Sequence, residues 1–130
     1  MINQIPASPA GGQNSNNKFD LEERTAKFGR DVILFCMKAR NYVITEPLIK
    51  QLIRSATSIG ANYMEANGCD TKRDFKNKIS LCKKEAKETT HWLRMLAYPL
   101  PDKEIELKKL WQEAHELVLI FSAITRSCKI

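Results

Sequence analysis

Apolar residues return at helical spacing along four stretches of the chain, and no stretch alternates with period two for long enough to make a strand. The first stretch carries Leu21, Phe28, Val32, Phe35 and Ala39. Asp20 stands just ahead of it, and its carboxylate is of the kind that accepts from open first-turn amides. The spacing therefore predicts a helix capped at Asp20 and running to about Asn41. A second helix is expected to open at Thr45 as cap, with Glu46 and Pro47 in a first turn where a missing amide donor costs nothing. It sets Leu48, Leu52, Ala56, Ile59, Tyr63 and Ala66 on one face and stops at Asn67-Gly68. In the third, Thr71 can cap and Asp74 takes the place of the acidic member of a capping box. Phe75, Ile79, Cys82, Ala86, Thr89, Leu93 and Leu96 follow, up to the break at "YPLPD". That seam would line a helix of about 26 residues and ~39 Å. The fourth starts near Asp102 and turns Leu107, Leu110, Trp111, Ala114, Leu117, Val118, Phe121 and Ile124 inward. Four amphipathic helices with short connections predict an all-α fold, most simply an up-down-up-down four-helix bundle.

Residues 1–18, rich in Asn, Gln, Gly, Pro and Ser, cannot bury enough apolar surface to offset ordering entropy. They are expected to form a mobile tail, leaving the bundle to residues 19–130. A chain of 130 residues suits one domain that needs neither disulfide nor metal to hold its core. No apolar run approaches the ~20 residues of a membrane span. The four cysteines show no CxxC spacing, and no basic start leads into an apolar run, so a cytoplasmic location without membrane contact is expected.

Charge adds a direction. The chain has 21 Lys plus Arg against 15 Asp plus Glu, a formal charge of +6, which favours polyanions such as RNA or DNA. The third helix concentrates the excess in Lys72, Arg73, Lys76, Lys78, Lys83, Lys84, Lys87 and Arg94, against Asp74, Glu85 and Glu88. Lys72, Arg73, Lys76, Lys83, Lys84 and Lys87 are the first candidates for phosphate contacts, with affinity that falls steeply as salt rises. The competing reading is a protein-binding scaffold or assembly factor whose charge serves solubility.

Catalytic chemistry finds little support. A carboxylate-bridged di-metal bundle needs Glu-x-x-His on two helices, and only Glu88-His91 fits, since His115 follows Gln112. Cys36 and Cys82 fall on apolar faces, where a thiol behaves as a small hydrophobe, whereas Cys69 lies in a loop and is the thiol expected to react. No glycine loop that could cradle a phosphate occurs outside the tail. No catalytic residue, metal ligand or cofactor is assigned, and a metal-dependent enzyme is the weakest of the readings.

The second helix has more apolar surface than a simple amphipathic helix needs. Ile49, Ile53, Gly60 and Met64 widen its apolar side to an arc of roughly 160°, which suggests contact with a second copy of the chain. Gly60 in a helix interior costs ~1 kcal/mol relative to Ala, so close approach of another backbone is its expected compensation. Gln51, Ser55, Ser58, Asn62 and Glu65 form a polar stripe on the opposite flank. Asn62 and Glu65 are either a ligand site or, as favoured here, hydrogen-bonding residues that fix register between helices or subunits.

Ser58, Ile59, Asn62 and Glu65 follow a pattern S-I-x-x-N-x-x-E that resembles the four-helix-bundle proteins encoded in intervening sequences of bacterial 23S rRNA genes. A second match lies in "DFKNKISLCKKEAKETTHWLRML", where Asp74, Phe75, Lys84, Glu85, Ala86, Glu88, Thr89, Trp92 and Leu93 stand at the family's spacing. The resemblance covers about residues 20 to 125. Met64 and Lys87 depart from the family's usual residues. The resemblance implies a left-handed up-down bundle that assembles into a ring, commonly a homopentamer, without enzymatic activity. It also implies a likeness to accessory proteins of diversity-generating retroelements, which have a basic surface and work with a reverse transcriptase and RNA.

Overall fold

The computed structural model describes residues 17–128, with side chains from residue 21 onward. It contains α1 (Asn17–Lys38), α2 (Thr45–Asn67), α3 (Lys72–Leu96) and α4 (Glu104–Ser127), the last preceded by a 3-10 turn at Pro101–Lys103. Among the described residues there is no strand. The tail expected over residues 1–18 lies, up to residue 16, outside the described residues.

The periodic apolar positions form one core. Phe28, Val32, Leu52, Ala56, Ile59, Ile79, Cys82, Ala86, Leu93, Leu96, Ala114, Leu117 and Phe121 are all buried. Leu110, Trp111, Val118 and Ile124 of α4 pack against that core at its margin. On α2 the expected face is the buried one, from Leu52 through Ala56, Ile59 and Tyr63 to Ala66, with Ile49 buried as well and Leu48 half-buried at the core margin. Leu100, in the connection after α3, is also buried.

The helix ends show what sets them. Thr71 has extended backbone, and its hydroxyl accepts from the Asp74 amide at 3.1 Å, as expected of a cap. Thr45 does not cap. Its buried hydroxyl turns back into the α1–α2 connection, where it accepts from the Tyr42 amide at 3.0 Å and donates to the Arg40 carbonyl at 2.7 Å. The satisfied groups belong to the loop rather than to the helix start. α1 begins at Asn17, so Asp20 stands inside the helix rather than just ahead of it.

α2 packs against α1 and α3, α3 packs on α4, and α1 touches α4 more lightly. Contacts between α1 and α2 run in opposite order: the amide of Asn67 donates to Glu22 at 2.9 Å, Gly60 faces Thr25, and Gly29 faces Thr57. Those between α2 and α3 do likewise, from Glu65 with Lys78 to Ser55 with Thr89. Arg24 fixes α1 to α4 through a two-pronged pair with Glu113, at 2.7 and 2.9 Å, and a third bond to Glu116.

Candidate nucleic-acid interface

The seam of α3 sets the geometry of its charged side. Ile79, Cys82, Ala86, Thr89, Leu93 and Leu96 are buried between α2 and α4, which fixes the rotation of the helix. Each residue advances by about 100°, so Lys72, Lys76, Lys83, Lys87 and Arg94 share one line, and Arg73 and Lys84 stand beside it, within an arc of roughly 120°. From Lys72 to Arg94 this basic stripe is about 33 Å long at ~1.5 Å per residue. Lys72, Arg73, Lys84, Lys87 and Arg94 are exposed, and Lys76 and Lys83 are half-exposed. Among the described residues, no ion pair engages any of the six lysine and arginine candidates.

The acids of α3 are elsewhere. Glu85 and Glu88 point to α2, where Arg54 holds both: its guanidinium lies 3.3 Å from Glu85 and pairs with Glu88. The indole N–H of Trp92 also donates to Glu88, at 3.1 Å. That bond, with the one from Arg54, holds the Glu88 carboxyl below the ordinary range against the opposing effect of burial. Lys78, on the α2 side, is paired with Glu65 at 2.5 Å. Positive charge is thus left free on one side of α3, and Glu85 and Glu88 are compensated on the other, while Asp74, exposed in the first turn, has no ion pair among the described residues. Sequence reasoning located the lysines and missed Arg54, because a cation lying 31 and 34 positions from its partners has no periodic signature.

The candidates on α2 do not form one site. The gap at Gly60 is closed by α1 of the same chain, since a Cβ built there would stand 3.2 Å from Thr25 Oγ1. A second copy is not needed to account for that glycine. Ile53 packs against the core margin, and Met64 is 68% exposed. Along the polar stripe, Ser58 donates to the Arg54 carbonyl at 2.7 Å and the Asn62 amide donates to the Ser58 carbonyl at 2.9 Å, both within α2. Only Glu65 and Ser55 reach across to α3. Ser55 and Thr89 are fully buried with their hydroxyls 2.8 Å apart, and Thr89 also reaches the Glu85 carbonyl at 2.8 Å.

The family model of the 23S rRNA-intervening sequence protein matches residues 18–100. The chain belongs to that family. The match spans α1, α2 and α3, and α4 lies beyond it. A crystal structure of a protein of unknown function from the S23 ribosomal protein family of Bacteroides thetaiotaomicron is similar, at 25% identity and a TM-score of 0.73, over 82% of this chain and 98% of that one. A comparison with curated proteins finds no match.

The motifs that resemble the 23S rRNA-intervening sequence proteins lie mostly at the α2–α3 contact. Glu65 meets Lys78, Glu85 and Glu88 meet Arg54, Thr89 meets Ser55, and Trp92 braces Glu88. In this member of the family the motif therefore packs two helices together, while Lys84 and Lys87 face away.

Other reactive groups are dispersed. Burial pushes the Cys36 thiol up to about 11 and the Cys82 thiol up to about 12, which keeps both protonated. Cys69 is half-exposed in the α2–α3 connection, its thiol 3.4 Å from the Glu65 carbonyl. It lines an open cleft of about 820 Å³ together with Tyr63, Asn67, Lys72 and Cys128. His91 is exposed and sits edge-on to Trp92, with ring centroids 4.8 Å apart, away from the core where a bundle metal centre would lie. Among the described residues, no three His, Cys, Asp or Glu side chains cluster as metal ligands. No helix there is long and apolar enough to cross a membrane.

Proposed function

We propose that the protein is a non-enzymatic, homo-oligomeric four-helix bundle that binds RNA or DNA through the basic stripe of α3. The partition of charge around that helix carries the reading: Lys72, Arg73, Lys76, Lys83, Lys84 and Lys87 stand without ion pairs among the described residues, while Arg54 occupies Glu85 and Glu88. Unpaired cations on one face can replace the counterions of a polyanion, which is the main source of sequence-independent nucleic-acid affinity. In this reading the helices run up-down-up-down with a left-handed twist, in keeping with the opposite order of contacts between α1 and α2 and between α2 and α3. Copies close into a ring, a homopentamer by family resemblance. The compartment is the cytoplasm, and a reverse transcriptase is the protein partner that the same resemblance suggests.

Mobility shift over a salt series tests the proposal. Retention of RNA or DNA should fall steeply with salt, and no retention at low salt would sink it. Light scattering tests the assembly, which a monomer at micromolar concentration would contradict. One observation favours a second reading, a protein-binding scaffold: Leu34, Met37, Val43 and Ile44, at the end of α1 and in the connection after it, are 51, 74, 79 and 54% exposed. Exposed apolar groups this dense are a feature of interaction surfaces. Failure to retain nucleic acid combined with stable oligomers would favour that reading.

A further inference from the structure

The stripe on α3 has a chemistry that separates two kinds of nucleic acid. Proteins that hold single strands interleave their cations with aromatic faces on which successive bases stack. Between Lys72 and Arg94 the free arc carries Lys, Arg, Ser and Thr, and its one ring is His91, which is packed edge-on against Trp92. The large aromatics of the described region are committed elsewhere. Phe28, Phe35, Tyr63 and Phe121 are buried, and Phe75, Trp92 and Trp111 pack on the core. Tyr42 lies under the Arg40 guanidinium at 4.1 Å, in the α1–α2 connection. Tyr98, 93% exposed, stands four positions past Arg94 and beyond the end of α3, a single ring at one end of the row and not interleaved with its cations.

The setting of α3 also limits how it can meet a duplex. A helix read into a major groove must project, because the groove is about 12 Å wide and a helix with side chains nearly fills it. α3 is held between α2 and α4, with free cations on only a third of its circumference. It can lie along a backbone but cannot enter a groove. What remains is a straight row of cations about as long as one turn of a duplex, ~34 Å.

We infer that this row takes the phosphate backbone of a double helix, without regard to sequence, and discriminates against single strands. The inference rests on the nucleic-acid reading above. The size of the preference follows from counterion release, which is about 0.9 per neutralised phosphate for a duplex and about 0.7 for a single strand. Six contacts then give salt slopes of about −5.4 and −4.2. With no stacking to compensate the single strand, the difference amounts to roughly 16-fold in favour of the duplex at about 0.1 M salt, taken from equal binding at 1 M.

The test is fluorescence anisotropy of the full chain with an RNA duplex and a DNA duplex of about 20 base pairs, and with a uridine tract of equal nucleotide number, each over a salt series. Both duplexes should bind about 16-fold more tightly than the tract near 0.1 M salt, and Lys83→Gln with Lys87→Gln should reduce the duplex slope by about 1.8. Equal or tighter binding of the tract would overturn the duplex inference and leave nucleic-acid binding standing. An unchanged slope in the double variant would overturn the placement on α3. Loss of all three probes at low salt would overturn both this inference and the function it rests on. The ratio between wild-type probes needs no variant, so the inference stays testable if the double substitution impairs folding.

Discussion

Arg54→Gln would remove the guanidinium that draws Glu85 and Glu88 away from the basic stripe. The consequence can be followed residue by residue. Glu88 lies one helical turn beyond Lys84, a separation at which opposite charges pair along a helix surface. Released from α2, Glu88 would still accept from the Trp92 indole through one oxygen, and the other would capture Lys84 and withdraw one cation from phosphate. Each lost phosphate contact lowers the salt slope by about 0.9 and the affinity at ~0.1 M by about eightfold relative to 1 M salt. Stability should change far less: the Arg54 side chain is 46% exposed, and ion pairs of that kind are worth ~0.2–1 kcal/mol each. Anisotropy with a duplex probe measures the affinity, and a thermal melt confirms that the variant is folded. The decisive control is Arg54→Gln combined with Glu85→Gln and Glu88→Gln, which has no released carboxylate and should recover wild-type affinity. An Arg54→Gln protein that binds as well as wild type, or a triple variant as weak as the single one, would refute the reasoning.

Three further outcomes are expected. Gly60→Leu should lower stability by about 1–3 kcal/mol in urea denaturation, because even a Cβ there meets Thr25 Oγ1 at 3.2 Å and overpacking forces the helices apart; an unchanged midpoint would show that α1 yields freely. Thr89→Val should cost ~0.5–1.5 kcal/mol by removing the buried bond to Ser55, whose hydroxyl then keeps only the Leu52 carbonyl at 3.3 Å, and a double-mutant cycle with Ser55→Ala should show the two positions coupled. Cys69 should be alkylated in the native protein at pH 8, whereas Cys82, buried and protonated up to about 12, should react only after denaturation; mass spectrometry of labelled peptides distinguishes the two.

What the sequence made legible was periodicity within each helix. The seam from Ile79 to Leu96 could be read directly, since a buried face repeats and nothing in α3 interrupts it. Thr71 was readable as a cap because its partner lies three residues away. Thr45 was misread because residue type does not reveal which way a hydroxyl turns, and here the loop behind it offered better partners than the helix ahead. The need for a close neighbour at Gly60 was visible, but its identity was not: Thr25 lies on another helix, and its own hydroxyl donates to the Leu21 carbonyl at 2.9 Å within α1. Arg54 belongs to the same class. Contacts between helices depend on register, and one chain's pattern carries no record of register.

The two patterns on α3 share a single reading frame, and this limits how the helix can change in length. Deleting one residue at Ser80 would turn every later position by about 100°. Lys83, Lys87 and Arg94 would rotate onto the face now filled by Cys82, Ala86 and Leu93, where unpaired charge is prohibitively costly. An insertion of one residue would break both patterns in the opposite sense. Only a change of about seven or eleven residues, either of which leaves a residual turn of ~20°, would keep core and cations in place together. Length variation among relatives should therefore collect in the connections at 68–71 and 97–103. Within α3 itself, insertions and deletions should be far rarer than substitutions.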